Sequence, residues 1–210
     1  MGTRHLVWDW NGTLLDDLTV VVAASNAAFV HGGGEPIDAD RHRREYRRPL
    51  VDFYSAVLGR PLAPGEFDAL EDVFYRSYRA QLLSCGLAAD AVEAINSWEG
   101  TQSLLSMYHH DRLIPEVTRH GLVERLLRID GRRDVADLPK EGLLRSHLAS
   151  LELAGPDVVL IGDSVDDARA AVAVGAACVL YAGGFTHPEV LAATGHPVAH
   201  TLVEAVSLAG

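Results

Sequence analysis

The strongest constraint on this chain is a change of rhythm part-way along it. From about residue 87 onward, short apolar runs alternate with helix-period segments. The runs are TQSLLSM (101–107), a weaker one near 125–129, DVVLI (157–161), ACVLY (177–181) and a short one near 197–200. Helical patterns fall between or beside them at about 88–98, 111–120, 140–152, 165–174 and 187–194. Apolar strands joined by helical crossovers are characteristic of a parallel sheet covered on both faces, so an α/β, doubly wound, Rossmann-like core is predicted. Residues 3–10 supply its first strand. The next seventy residues break the rhythm. Leu18, Val21, Val22, Ser25 and Phe29 mark one face of a helix over 17–31, which ends at HGGG. DADRHRREYRR (38–48) reads as a second helix stopping near Pro49, and Phe67, Leu70, Phe74, Tyr78 and Leu82 mark a third over about 65–83. The predicted organisation is therefore a core built from 1–16 and 87–210, with an all-helical domain, 17–86, inserted after the first strand.

Composition narrows the function. The 210 residues are 48% hydrophobic, which suits a packed core plus a smaller insertion. A net charge of −11 argues against nucleic acid as a general partner, since phosphate backbones bind positive faces. No apolar run reaches the length of a membrane span, and the N-terminus lacks the order of a secretory signal, so no membrane partner is expected and the cytoplasm is the default compartment. Cys85 and Cys178 lie too far apart in sequence for metal-site spacing and imply no disulfide framework. A monomer or homodimer is expected. Of 18 basic residues 17 are arginine, which makes the position of the one lysine, Lys140, informative.

Ligands of open parallel sheets bind outside the carboxyl ends of the strands. Asp9 ends the first strand, at the lip of a turn built by Gly12 and Thr13. Ser106 ends the second, Lys140 precedes the helix over 141–152, and Asp163 follows DVVLIG. Singly, each has an ordinary explanation: a helix cap, a surface charge, a turn hydroxyl. Together, a carboxylate nucleophile, a hydroxyl, an ammonium and a second acidic group with Asp166 and Asp167 are the parts needed for Mg²⁺-assisted phosphoryl transfer.

The ordered set DWNGT (9–13), LLS (104–106), Lys140 in LPKEGLL and GDSVDD (162–167) resembles the four motifs of the haloacid dehalogenase superfamily of phosphatases. It is similar to the subclass with a helical cap after the first motif, in the manner of phosphoglycolate phosphatase. The resemblance implies that Asp9 is a nucleophile forming an aspartyl-phosphate. It implies that the Asn11 backbone carbonyl and the Asp163 carboxylate join Asp9 on Mg²⁺, with Asp167 supporting the metal site or the lysine. Ser106 and Lys140 would hold the transferring phosphate, with Gly12, Thr13 and Met107 beside them.

Two departures stand out. The family usually shows Lys-Pro where this chain has Pro139-Lys140, a minor variation. More consequentially, Asn11 occupies the position of the usual second aspartate, which protonates the leaving alkoxide and then activates water. An amide cannot do that, and a positioned acid–base group contributes roughly 10² to 10⁴ in rate. The expectation is a slower phosphatase, or one suited to good leaving groups, in which Asn11→Asp accelerates alkyl phosphates more than aryl ones. The alternative is a catalytically weak or inactive binding or regulatory protein. His109 and His110 are candidate substitutes for the missing acid, although a histidine pair after a strand is more often a solvated loop. In RHRREYRR (41–48), Arg47 and Arg48 are candidates to read a second anionic group on a small phosphorylated metabolite; the plainer reading is a solvated helix face. Residues 17–86 contain no lysine, which counts against Schiff-base phosphonate chemistry, and dehalogenation would leave GDSVDD without purpose.

Overall fold

The computed structural model describes residues 4–133 and 139–210. Strand β1 (His5–Trp8) is buried along its whole length. A tight turn follows it and runs into β2 (Leu15–Asp16), which pairs antiparallel with β3 (Gly86–Leu87). Between these two short strands lie four helices: α1 (Leu18–His31), α2 (Ala39–Glu45), α3 (Leu50–Leu58) and α4 (Glu66–Gln81). The helical segment thus leaves and re-enters at one two-stranded ribbon. Helix α3 goes beyond the sequence expectation. Helix α2 already ends at Glu45, short of the expected stop near Pro49; Pro49 instead serves as the N-cap of α3, and Gly59, in the left-handed region at φ 67°, ends it. The segment has a core of its own around Phe29, Phe53, Tyr54 and Leu70, with Phe29 edge-on to both Phe53 and Tyr54.

The chain then alternates: α5 (Ala91–Ser97), β4 (Gln102–His109), α6 (His110–Arg119), β5 (Ile129–Arg132), α7 (Lys140–Ser150), β6 (Val158–Gly162), α8 (Val165–Val174), β7 (Ala177–Tyr181), α9 (Pro188–Ala192), β8 (Val198–Ala199) and α10 (Leu202–Ala209). Six strands form one parallel sheet in the order β5-β4-β1-β6-β7-β8. The crossovers run outward from β1 through β4 to β5, then return to β6 on the other side of β1. Strand order therefore reverses beside β1, which opens a crevice at its carboxyl end. Side chains alternate across the sheet with period two. Leu6, Trp8, Leu104 and Ile161 pack on one face with Ile95, Leu113 and Val206. Val7, Leu105 and Leu160 pack on the other with Leu144, Leu148 and Ala171. Helix α10, also unforeseen, seals the first face with Leu202, Ala205, Val206 and Ala209.

A buried polar chain crosses the sheet away from that crevice. Asp130 Oδ2 lies 2.8 Å from His147 Nδ1, His147 Nε2 lies 2.7 Å from Ser103 Oγ, and His5 Nε2 lies 2.7 Å from the same hydroxyl. The order is that of a nucleophilic triad, but Ser103 is fully buried and does not line the cleft. It is a strut that satisfies buried polar groups and ties α7 to β1, β4 and β5.

Candidate active site

Asp9 directly follows β1, and its backbone N–H donates to the Ile161 carbonyl at 2.9 Å, continuing the sheet to the lip of the crevice. Its Oδ1 accepts from the Trp10 N–H at 2.7 Å. Its Oδ2 faces Lys140 Nζ at 2.8 Å, and the same ammonium lies 2.5 Å from Asp167 Oδ1. Lys140 is the first residue of α7, so the helix start delivers the chain's single lysine to Asp9. Asp163 follows β6, and one carboxylate oxygen from each of Asp9, Asp163 and Asp167 falls within 4.8 Å of the others. All three are buried. Burial pushes the Asp9 carboxyl up to about 6 against the pull of Lys140, and raises Asp163 well above the ordinary range with Asp9 and Asp167 adding to it. For Lys140, burial alone would lower the pKa, but Asp167 and Asp9 outweigh it and raise it, so the ammonium stays charged.

The turn after Asp9 is shaped by contact with Asp163. Gly12 sits at φ 70°, and a Cβ there would run into the Asp163 carboxylate. Thr13 Oγ1 lies 3.4 Å from Asp163 Oδ1. On the other side, a Cβ at Gly184 would strike the same carboxylate, while the Phe185 N–H donates to Asp163 Oδ2 at 2.6 Å. The GGFTH segment, 183–187, is thus a clasp for Asp163. Asp167 is fixed differently: its Oδ2 accepts from the Ser164 N–H at 3.0 Å and hydroxyl at 2.6 Å, a reciprocal capping box at the start of α8.

Ser106 lies within β4, where pairing with β5 loses register between Leu105 and His109. Such an irregularity beside a site re-aims side chains. Ser106 Oγ accepts from the Tyr108 N–H at 3.0 Å, and Ser106, Met107 and Tyr108 all line the cleft. His109 and His110 do not. The strand runs on through His109 and α6 begins at His110, whose ring nitrogens meet the Gly131 N–H at 3.1 Å and Arg133 at 2.8 Å. The pair belongs to the strand-to-helix junction, so the structure removes it as a substitute acid.

The cleft encloses about 110 Å³ between core and helical segment. Asp9, Asn11, Ser106, Lys140 and Asp163 form its floor, and Tyr46, Phe53, Tyr54, Phe74, Tyr75 and Tyr78 line it from the helical side. Arg48 lines it too; its Nε lies 3.7 Å from Asp166 Oδ2. Arg47 lies outside, exposed, donating to the Glu45 carbonyl at 3.1 Å and the Asp52 carbonyl at 3.3 Å. The paired reading of Arg47 and Arg48 is corrected accordingly. Arg43 donates to the carbonyls of Ala182 and Thr186, and Arg44 pairs with Glu189 at 2.7 Å, so much of the arginine run fastens helix α2 to the core.

Asn11 has unexpected company. Its Nδ2 donates to Asp17 Oδ2 at 2.7 Å and to the Tyr78 hydroxyl at 2.8 Å, and Tyr78 donates to the same Asp17 oxygen at 2.7 Å. Asp17 Oδ1 accepts from the Gly12 N–H at 2.8 Å. Asp17 is fully buried, and burial lifts its carboxyl to about 6 against these three hydrogen bonds. In sequence, Asp17 reads only as the first residue of the helix over 17–31 and Tyr78 as part of an apolar stripe. The one local hint was the doubled acid, Asp16-Asp17.

This arrangement is the α/β fold found in haloacid dehalogenase-like proteins. Residues 137–205 match the HAD-hydrolase-like family model. A haloacid dehalogenase-like hydrolase from Streptococcus pneumoniae superposes with a TM-score of 0.84 at 17% identity, covering 98% of each chain. A predicted phosphatase from Clostridium acetobutylicum gives 0.84 at 16% identity over 99% of this chain and 98% of its own. A predicted phosphoglycolate phosphatase from Haemophilus somnus gives 0.78 at 15% identity over 99% and 98%. No curated protein matches the sequence. No helix among the described residues is long and apolar enough to cross a membrane.

Proposed function

We propose that the protein is a Mg²⁺-dependent phosphatase of small organic phosphomonoesters, acting through an aspartyl-phosphate on Asp9. The observation that carries the reading is the buried Lys140 ammonium held between Asp9 and Asp167, with Asp163 alongside, at the floor of a cleft. Three buried carboxylates facing one described ammonium leave a surplus of negative charge that suits a hard dication. Asp167 already has Lys140 on one oxygen and Ser164 on the other, so Asp9, Asp163 and the Asn11 carbonyl are the residues assigned to hold the metal. Bound there, Mg²⁺ would supply the positive charge that lets one anion approach another.

The chain's own residues do the rest. Lys140 and the Trp10 N–H orient the Asp9 carboxylate, and Lys140 with Ser106 neutralises and positions the phosphate oxygens. An Asp9 oxygen attacks phosphorus, the bond to the substrate's oxygen breaks, and water later cleaves the aspartyl-phosphate, returning Asp9 and releasing phosphate. Asn11 cannot donate a proton to the departing alkoxide, so that proton comes from solvent, and substrates with acidic leaving groups are favoured. The helical segment, 17–86, acts as the cap, with Arg48 and the aromatic wall selecting the leaving group of a small phosphorylated metabolite in the cytoplasm.

Purified protein should hydrolyse p-nitrophenyl phosphate with Mg²⁺ and not in excess chelator, and Asp9→Asn should abolish the activity. Turnover that survives Asp9→Asn would overturn the assignment. Binding of phosphate without any turnover would favour the regulatory reading.

A further inference from the structure

The contacts around Asn11 explain why an amide stands there. An ionised Asp17 can only accept hydrogen bonds, so the atom of Asn11 that lies 2.7 Å from it must be the amide nitrogen. Both N–H groups of that nitrogen are then engaged, one by Asp17 and one by the Tyr78 hydroxyl. The atom of Asn11 left to face the cleft is Oδ1, an acceptor. Asp17 is the N-cap residue of α1, its other oxygen holds the Gly12 N–H, and Tyr78 comes from α4. One buried carboxylate therefore joins the catalytic turn to both ends of the helical segment's main helix pair.

We infer that Asp17 and Tyr78 are positioning residues that clamp Asn11 with Oδ1 toward the cleft, and that Asn11 and Asp17 form a charge-matched pair in which one carries the carboxylate and the other the amide. The inference rests on the proposed phosphatase site for its catalytic consequence, while the pairing itself rests on the hydrogen bonds alone. Asn11 Oδ1 accepts a hydrogen bond from the water that attacks the aspartyl-phosphate, orienting it without taking its proton. An aspartate at 11 in the otherwise unchanged protein would place a second carboxylate against Asp17 and lose both donated hydrogen bonds, so the single change disables the site instead of improving it. This reverses the expectation drawn from the sequence. Exchanging the two residue types restores one donor and one carboxylate, now with the carboxylate at the cleft.

The test is a swap cycle: Asn11→Asp, Asp17→Asn and the double variant, with Tyr78→Phe alongside. Thermal unfolding is read without substrate, and kcat and KM are read on p-nitrophenyl phosphate and an alkyl phosphate with Mg²⁺. Asn11→Asp should lower the unfolding temperature and cut kcat on p-nitrophenyl phosphate about tenfold or more. The double variant should recover the unfolding temperature, and its ratio of alkyl to aryl turnover should exceed that of wild type. Tyr78→Phe should lower kcat with little change in KM, because the substrate still binds while Asn11 turns. Additive losses in the double variant would overturn the pairing, as would an Asn11→Asp protein as stable as wild type. If wild type shows no phosphatase activity, the proposed function fails, yet the unfolding arm still decides the pairing.

Discussion

Lys140→Met removes the positive charge at the centre of the site while keeping much of the aliphatic stem. In the native protein its ammonium lies 2.8 Å from Asp9 and 2.5 Å from Asp167, and the side chain is almost wholly buried. Deleting one partner of a buried ion pair costs about 3–5 kcal/mol, because the remaining charges are left uncompensated away from water. Here three carboxylates would face one another within 4.8 Å. For a chain of this size each kcal/mol moves the unfolding temperature by about 2–4 °C, so a fall on the order of 10 °C is expected in metal-free buffer near neutral pH. Two treatments should return part of it. Added Mg²⁺ supplies charge to the same carboxylates, and mild acidification lets Asp9 and Asp163, both already raised by burial, take up protons. The measurement is thermal unfolding of wild type and variant across a Mg²⁺ series and at two pH values, with p-nitrophenyl phosphate turnover as companion. A variant that unfolds with wild type in metal-free buffer, or that gains nothing from Mg²⁺, would refute the account of Lys140 as the counter-charge of the cluster.

Three further outcomes are expected. Gly12→Ala forces a side chain into the left-handed region and against Asp163; it should destabilise by about 1–3 kcal/mol and lower kcat, and normal activity would show that the turn relaxes freely. Asp17 has a folded pKa of about 6 against an ordinary 3.8, so the native state binds its proton more tightly than the unfolded chain. Its contribution is complete below about pH 4 and is lost as pH rises through 6, roughly 3 kcal/mol in all. The stability curve of Asp17→Asn should therefore be flatter between these values, which denaturant titrations at several pH values would detect. Arg48→Ala should raise KM because the side chain lines the cleft, whereas Arg47→Ala should leave steady-state kinetics near wild type; equal effects would refute the division between them.

Local pattern was enough to reveal the sheet and to put Asp9 and Asp163 at neighbouring strand ends. Apolar runs of four to eight residues fixed the strands because burial on both faces leaves a strong sequence trace, and strand ends then marked where Asp9 and Asp163 belong. Arginine's dominance made Lys140 conspicuous before any contact was known. Helices α3 and α10 left little local trace: a proline that reads as a stop opens the first, and the second is a short run without punctuation after it. His109 and His110 could not be placed from sequence because their fate depends on where β4 stops, which its pairing with β5 decides. Arg47 and Arg48 are neighbours in the chain, yet only packing put one in the cleft wall and the other on backbone carbonyls outside. Asn11 shows the division most sharply. The sequence determined that position 11 holds an amide and cannot transfer a proton. Its partners lie six and sixty-seven residues away, so only the tertiary structure could show that a buried carboxylate at 17 and a tyrosine at 78 hold that amide, because hydrogen bonds between distant segments leave no periodic trace in a single chain.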